Sequence, residues 1–178
     1  LVPIESLSEE LPVIDPSGTG THEQALFLQD TLYGMRLEGF AIAQAMTGLT
    51  VIGRIDDIPP EPVIRFILFK DNAKGMDADC GGGILSNCLF ENNQIATTFR
   101  AGNHWIIRDN VFKGPGNAMV FSMLITHGIQ GFQILSNLFD GANVYADSLH
   151  GRHDSTLLFA KNTFKNASLV VRHGSPKA

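Results

Sequence analysis

Charge is scarce in this chain of 178 residues: only 17% of them are Asp, Glu, Lys or Arg, and the balance is −5. With 13 basic against 18 acidic side chains, the basic patch that nucleic-acid binding requires is missing. No apolar run reaches the 18 residues of a helical membrane span, so neither nucleic acid nor membrane is an expected partner. Two cysteines, Cys80 and Cys88 around Gly81-Gly82-Gly83, are too few for a disulfide framework. They suit two buried thiols better than a bridge, and their number does not fix a compartment. There is one Trp, and no phosphate-cradling Gly loop, nucleophile elbow or zinc-ligand spacing. These absences remove most of the nucleotide, hydrolase and structural-metal classes.

What is present is a repeated phrase. Ile84-Leu85-Ser86-Asn87-Cys88-Leu89-Phe90 returns as Ile106-Ile107-Arg108-Asp109-Asn110-Val111-Phe112, as Ile134-Leu135-Ser136-Asn137-Leu138-Phe139 and as Leu158-Phe159-Ala160-Lys161-Asn162-Thr163-Phe164. Asn87, Asn110, Asn137 and Asn162 lie 23, 27 and 25 residues apart, and Phe69, Phe90, Phe112, Phe139 and Phe164 lie 21, 22, 27 and 25 apart. Self-similarity at roughly 20–50 residues marks a stacked architecture. A constant phrase with a variable period means coils of fixed section joined by variable loops. After each Phe comes a polar turn, and after four of those turns a second strand: Ile95 to Arg100, Ala118 to Ser122, Val144 to Ser148 and Leu169 to His173.

One coil cannot bury its own inward side chains. Stacked coils can, because parallel strands about 4.8 Å apart set like residues over like. The phenylalanines are expected to form an internal ladder, and the asparagines to occupy recurrent turns with amides bonded along the stack. Cys88 reads as a one-residue insertion in its phrase, a bulge. Residues 1–30 do not fit the repeat and are assigned as an N-terminal cap or extension, with a short helix over Glu5 to Glu10. Residues 31–178 are assigned to the solenoid, with a strand over Leu32 to Ile42, another at Leu49 to Gly53, and a proline-rich loop to Pro62. The expected fold is an all-β parallel solenoid of about six coils.

The hydrophobic pair, Asn and Phe, repeated every 21–27 residues over residues 32–173, resembles the right-handed parallel β-helix of the pectate-lyase-like superfamily. That resemblance implies a long groove for an extended polysaccharide, and a protein secreted or displayed on a cell or virion surface. The strand Ala167-Ser168-Leu169-Val170-Val171-Arg172-His173-Gly174 further resembles the Arg-His-Gly strand of the alginate lyase and chondroitinase B family. Carried over, Arg172 would neutralise a uronate carboxylate, where β-elimination builds charge. The calcium-binding glutamates of that family have no counterpart in Tyr145-Ala146-Asp147-Ser148-Leu149-His150-Gly151-Arg152-His153, so no cofactor is expected. His153 stands where the family has its lysine base. A looser resemblance, to mannuronan epimerases, rests on Tyr145, Asp147 and His150.

The leading expectation is lyase or epimerase chemistry on uronate residues of an acidic polysaccharide, with Arg172, His173, Tyr145 and His153 catalytic. Arg100, Asp147, His150, Arg152 and Trp105 are the substrate-binding candidates, Trp105 as a sugar-stacking platform. The rival expectation is a non-catalytic polysaccharide-binding or structural β-helix, such as a tailspike segment or adhesin. Asp56-Asp57 and Asp77-Ala78-Asp79 match no calcium loop and read as solvated turns. The chain stops five residues after His173, and an open last coil is a β-edge that proteins normally cover. A homo-oligomer or a further chain is expected there.

Overall fold

A coil of this phrase has three short β-prone runs separated by turns, and its only means of burying them is to lie on the next coil. A computed structural model describes residues 11–16, 24–29, 34–53, 62–101, 104–122, 131–147 and 157–172. It is an all-β parallel solenoid of about five turns, one fewer than expected. The described residues contain 18 strands and no α-helix. Between named strands every pairing is parallel.

The strands form two hydrogen-bonded sheets. The seven-stranded sheet comprises β2 (Gln24–Gln29), β4 (Thr47–Ile52), β6 (Lys74–Asp79), β9 (Ile95–Ala101), β12 (Asn117–Ser122), β15 (Asn143–Asp147) and β18 (Leu169–Arg172), stacked in that order. The other sheet is bent at a corner. β5 (Val63–Lys70) runs through that corner and pairs with β7 (Gly83–Ser86) through its first half and β8 (Leu89–Glu91) through its second. Residues 1–30, expected as a cap, contribute β1 (Val13–Ile14) and β2 to the stack itself. The expected helix over Glu5 to Glu10 lies outside the described residues.

Inside, like sits on like. Phe69, Phe90, Phe112, Phe139 and Phe164 form one column, with ring centroids 4.6, 4.8, 5.1 and 4.7 Å apart and planes within 17° of parallel. Four of the five are buried, and Phe164 on the last turn is 36% exposed. Leu37, Ile64, Leu85, Ile107 and Ile134 make an aliphatic column beside them, continued by Phe159 on the last turn. On the outer surface Lys70, Glu91, Lys113, Asp140 and Lys165 alternate in sign from turn to turn, joined at 3.6, 3.3 and 3.0 Å. Such exposed pairs stabilise little, but like charges stacked strand on strand would repel.

Asn110, Asn137 and Asn162 occupy equivalent corners with their amides bonded along the stack, as expected; Asn87 alone is displaced by one residue. The left-handed conformation falls on the residue before the ladder position: Gly39, Phe66, Asn87, Asp109, Ser136 and Lys161 have φ between 53° and 80°. The ladder position holds Phe40, Ile67, Cys88, Asn110, Asn137 and Asn162. Cys88 is therefore no insertion. It takes the asparagine's place, directly over Asn110, whose Oδ1 accepts from its backbone N–H at 2.9 Å. Asn137 shows the full pattern. Its Oδ1 accepts from the N–H and Nδ2 of Asn110, both at 3.0 Å, and its Nδ2 donates to the Ile107 carbonyl at 2.9 Å. Asn162 repeats this toward Asn137. A second, shorter ladder joins Asn72 and Asn93 at the next corner. Both cysteines are buried free thiols, and burial pushes the Cys88 thiol up to about 12.

Two substitutions test this core. Phe112→Ala is expected to lower unfolding stability by about 3–5 kcal/mol, as for a large-to-small change in a packed interior. Asn137→Ala removes the acceptor for two donors of Asn110 and the donor to Ile107, so it is expected to cost about 1–3 kcal/mol or more. Urea unfolding of each variant measures both. A loss below about 1 kcal/mol for Phe112→Ala would contradict the column.

Candidate functional site

Side chains on the seven-stranded sheet alternate between core and outside. Leu49, Met76, Thr97, Met119 and Val144 form an inward column. The next residue of each strand forms a row on the opposite face, in register: Phe27, Thr50, Asp77, Thr98, Val120, Tyr145 and Val170; Thr50, Asp77 and Thr98 in its middle are largely buried. This row crosses the stack from end to end.

Toward its N-terminal end lies an open cavity of about 340 Å³. Thr47 and Thr50 of β4 and Lys74, Asp77 and Asp79 of β6 line it, with Arg100 of β9. Arg100 lies two residues after Thr98, on the same face, beside a bulge. β6 and β9 pair Ala78 with Phe99 and then Asp79 with Ala101, so Arg100 is an extra residue. Its Nε donates to Asp77 Oδ1 at 2.9 Å and a terminal nitrogen donates to Oδ2 at 2.7 Å. Lys74 Nζ donates to the same Oδ2 at 2.7 Å. Burial of Asp77 pushes its carboxyl up, but the hydrogen bonds from Arg100 and then Lys74 outweigh it and hold the group below the ordinary carboxylate range. The same pairing raises Arg100, so its guanidinium is firmly charged. The Thr50 Oγ1, shielded from solvent, has no hydrogen-bond partner among the described residues. A second cavity, beside Asn92, Asn93 and Pro115, is less suited to a ligand because the Asn93 amide is already committed to Asn72 and the Phe69 carbonyl.

The expected site residues scatter. Trp105 is corrected: it is fully buried, edge-on to Phe99 at 5.2 Å, and offers no surface for a sugar to stack on. Gly83 makes its space, since a Cβ there would stand 2.6 Å from the indole ring. Asp77 and Asp79, read as a solvated turn, lie within β6. Arg100 is on the outer face as expected of a ligand-binding residue, but it is engaged with Asp77. Arg172 pairs in register with Asp147, and Tyr145 pairs with Val170, two positions before Arg172 on the same strand. Tyr145 is half-buried. His150, Arg152, His153 and His173 lie outside the described residues. Among the described residues no three His, Cys, Asp or Glu side chains are grouped to hold a metal ion.

The lowered Asp77 carboxyl has a pH signature. Its contribution is fully present above the ordinary Asp range and is lost as pH falls through its lower folded value. Asp77→Asn is therefore expected to flatten the acid dependence of stability from the ordinary Asp range downward, read from urea midpoints. An unchanged acid profile would mean that the Arg100 and Lys74 bonds do not hold the carboxylate in solution. Comparison with known proteins finds no matching family model, no similar curated protein and no similar solved structure.

Proposed function

We propose that this chain is a polysaccharide-binding β-solenoid that holds an extended glycan along the outer face of its seven-stranded sheet. The observation that carries the reading is the continuous outward row from Phe27 to Val170, with the polar cavity toward one end and Tyr145 three strands further on. At about 4.8 Å per strand, those two points are roughly 14 Å apart, a span that suits several linked sugars and no single small metabolite. The chain's charge of −5, together with the Asp77 carboxylate between Lys74 and Arg100, gives a polyanion little electrostatic attraction. This favours the non-catalytic binding or structural role. The sequence resemblance to the right-handed pectate-lyase-like β-helix supports the same ligand class by analogy of fold.

The second reading is lyase or epimerase chemistry on a uronate polymer. It is favoured by one register: Arg172 opposite Asp147, two positions beyond the Tyr145 pairing. A guanidinium there would neutralise the uronate carboxylate while a Tyr or His moves the proton.

Binding to immobilised neutral and acidic glycans separates the two. The binding reading predicts retention of at least one polysaccharide without product, weakened about tenfold in Tyr145→Ala, the scale of one lost aromatic contact. The catalytic reading predicts unsaturated uronate absorbance or a changed epimer ratio, slowed roughly 10²–10³-fold in Arg172→Ala. No retention and no product from any glycan would overturn both.

A further inference from the structure

Three features of the cavity on β4, β6 and β9 point to a ligand class. First, its charges cancel: two cations, Lys74 and Arg100, face two carboxylates, Asp77 and Asp79. Asp77 is consumed by the cations, which still have donors to spare: Lys74 has three N–H groups and Arg100 five, of which Asp77 takes only one and two. Arg100 is also 49% exposed. Asp79 supplies a carboxylate on the same wall, which can accept from two hydroxyls at once. Second, Thr50 is only 7% exposed, lines the cavity, and leaves its hydroxyl unpaired among the described residues. A buried hydroxyl without a partner is unfavourable; its Oγ1 is closed to solvent in the free chain, so a ligand hydroxyl completes it only as the side chains around it yield. Third, outside the lining itself, Phe27, the register neighbour of Thr50 on the adjacent strand, is an exposed aromatic. An apolar ring beside a cluster of mixed donors and acceptors matches the two faces of a pyranose.

We infer that this cavity is a subsite for one neutral sugar unit, whose adjacent hydroxyls bond to Asp79, Arg100, Lys74 and Thr50. The inference rests on the polysaccharide-binding reading and narrows it, because a charge-balanced pocket gives no preference to a uronate. The carboxylate accepts from the sugar hydroxyls, the cations donate to their oxygens, and no bond is made or broken.

The test is calorimetric titration of the full chain with cellohexaose, mannohexaose, maltohexaose and hexagalacturonate, against Thr50→Val, Asp79→Asn and Tyr145→Ala. At least one neutral hexaose is expected to bind, roughly tenfold more weakly in Asp79→Asn, the scale of one charge-assisted hydrogen bond. Thr50→Val is expected to weaken binding while leaving the melting temperature unchanged or raised, because it deletes an unpaired hydroxyl. A purely structural threonine would instead lose stability and leave affinity alone, and that result would overturn the subsite. Neutral binding that fails in Tyr145→Ala but not in Asp79→Asn or Thr50→Val would overturn it too, while keeping the wider reading. Binding of hexagalacturonate alone, strengthened by Asp79→Asn, would overturn the ligand class. No binding of any of the four would remove the wider reading as well.

Discussion

Buried amides at the corners are the constraint on which the stack depends. A solenoid turn must reverse direction three times inside a dry interior, and each reversal strands backbone N–H and C=O groups that cost stability if left unpaired. Asn137 and Asn162 resolve this with the same three bonds: an Oδ1 that accepts from the N–H and Nδ2 of the asparagine on the coil before, and an Nδ2 that donates to a carbonyl of that coil. Asn110 makes two of them, accepting from the Cys88 N–H and donating to the Leu85 carbonyl. The amide stands in for a peptide group running along the stack. It works only where coils repeat in register, so the ladder fixes register as much as it gains from it. Where Cys88 replaces asparagine, burial keeps it a protonated thiol, and its Sγ lies 3.4 Å from the Ser86 carbonyl. At Ile67 the position is apolar.

Once the corners fix the register, the inward columns follow and the outer face is free. Phe stacks on Phe over five turns and Ile on Leu beside it, so that the same section is filled turn after turn. Outward residues carry no such demand. The row from Thr50 through Asp77 and Thr98 to Tyr145 varies in type while keeping its alignment, which is the condition for a surface that binds a linear polymer. The bulge at Arg100 adds a residue between paired positions of β6 and β9, as Ala118 does between β12 and β15, and the Arg100 guanidinium bonds to Asp77.

The Phe column was legible because its residues are large, identical and set in a constant phrase. The asparagines were legible as ladder residues only where the phrase ended in Asn-Val-Phe, Asn-Leu-Phe or Asn-Thr-Phe. In Asn87-Cys88 the asparagine sits at the left-handed position and the cysteine in the ladder, a swap that sequence identity conceals. The earliest coils were harder to read, since Ile42 takes the place of the phenylalanine and Ala45 that of Asn72. Trp105 was misread because its burial depends on Gly83, a residue 22 positions away and one strand below. The Asp77–Arg100 pair was invisible for a similar reason: their 23-residue separation becomes contact only once β6 and β9 stack with Asp77 opposite Thr98.

Amide hydrogen exchange at the corners tests the account most directly. Turn amides exposed to water exchange quickly, whereas those of Cys88, Asn110 and Asn137 are bonded to the asparagine of the next coil at 2.9, 3.0 and 2.9 Å. The account predicts that these three amides are protected as strongly as the strand amides of Ile107 and Phe112, and that replacing Asn137 deprotects Asn110 before it deprotects the strands. Rapid exchange at all three corners in the native chain, with the strands still protected, would contradict it.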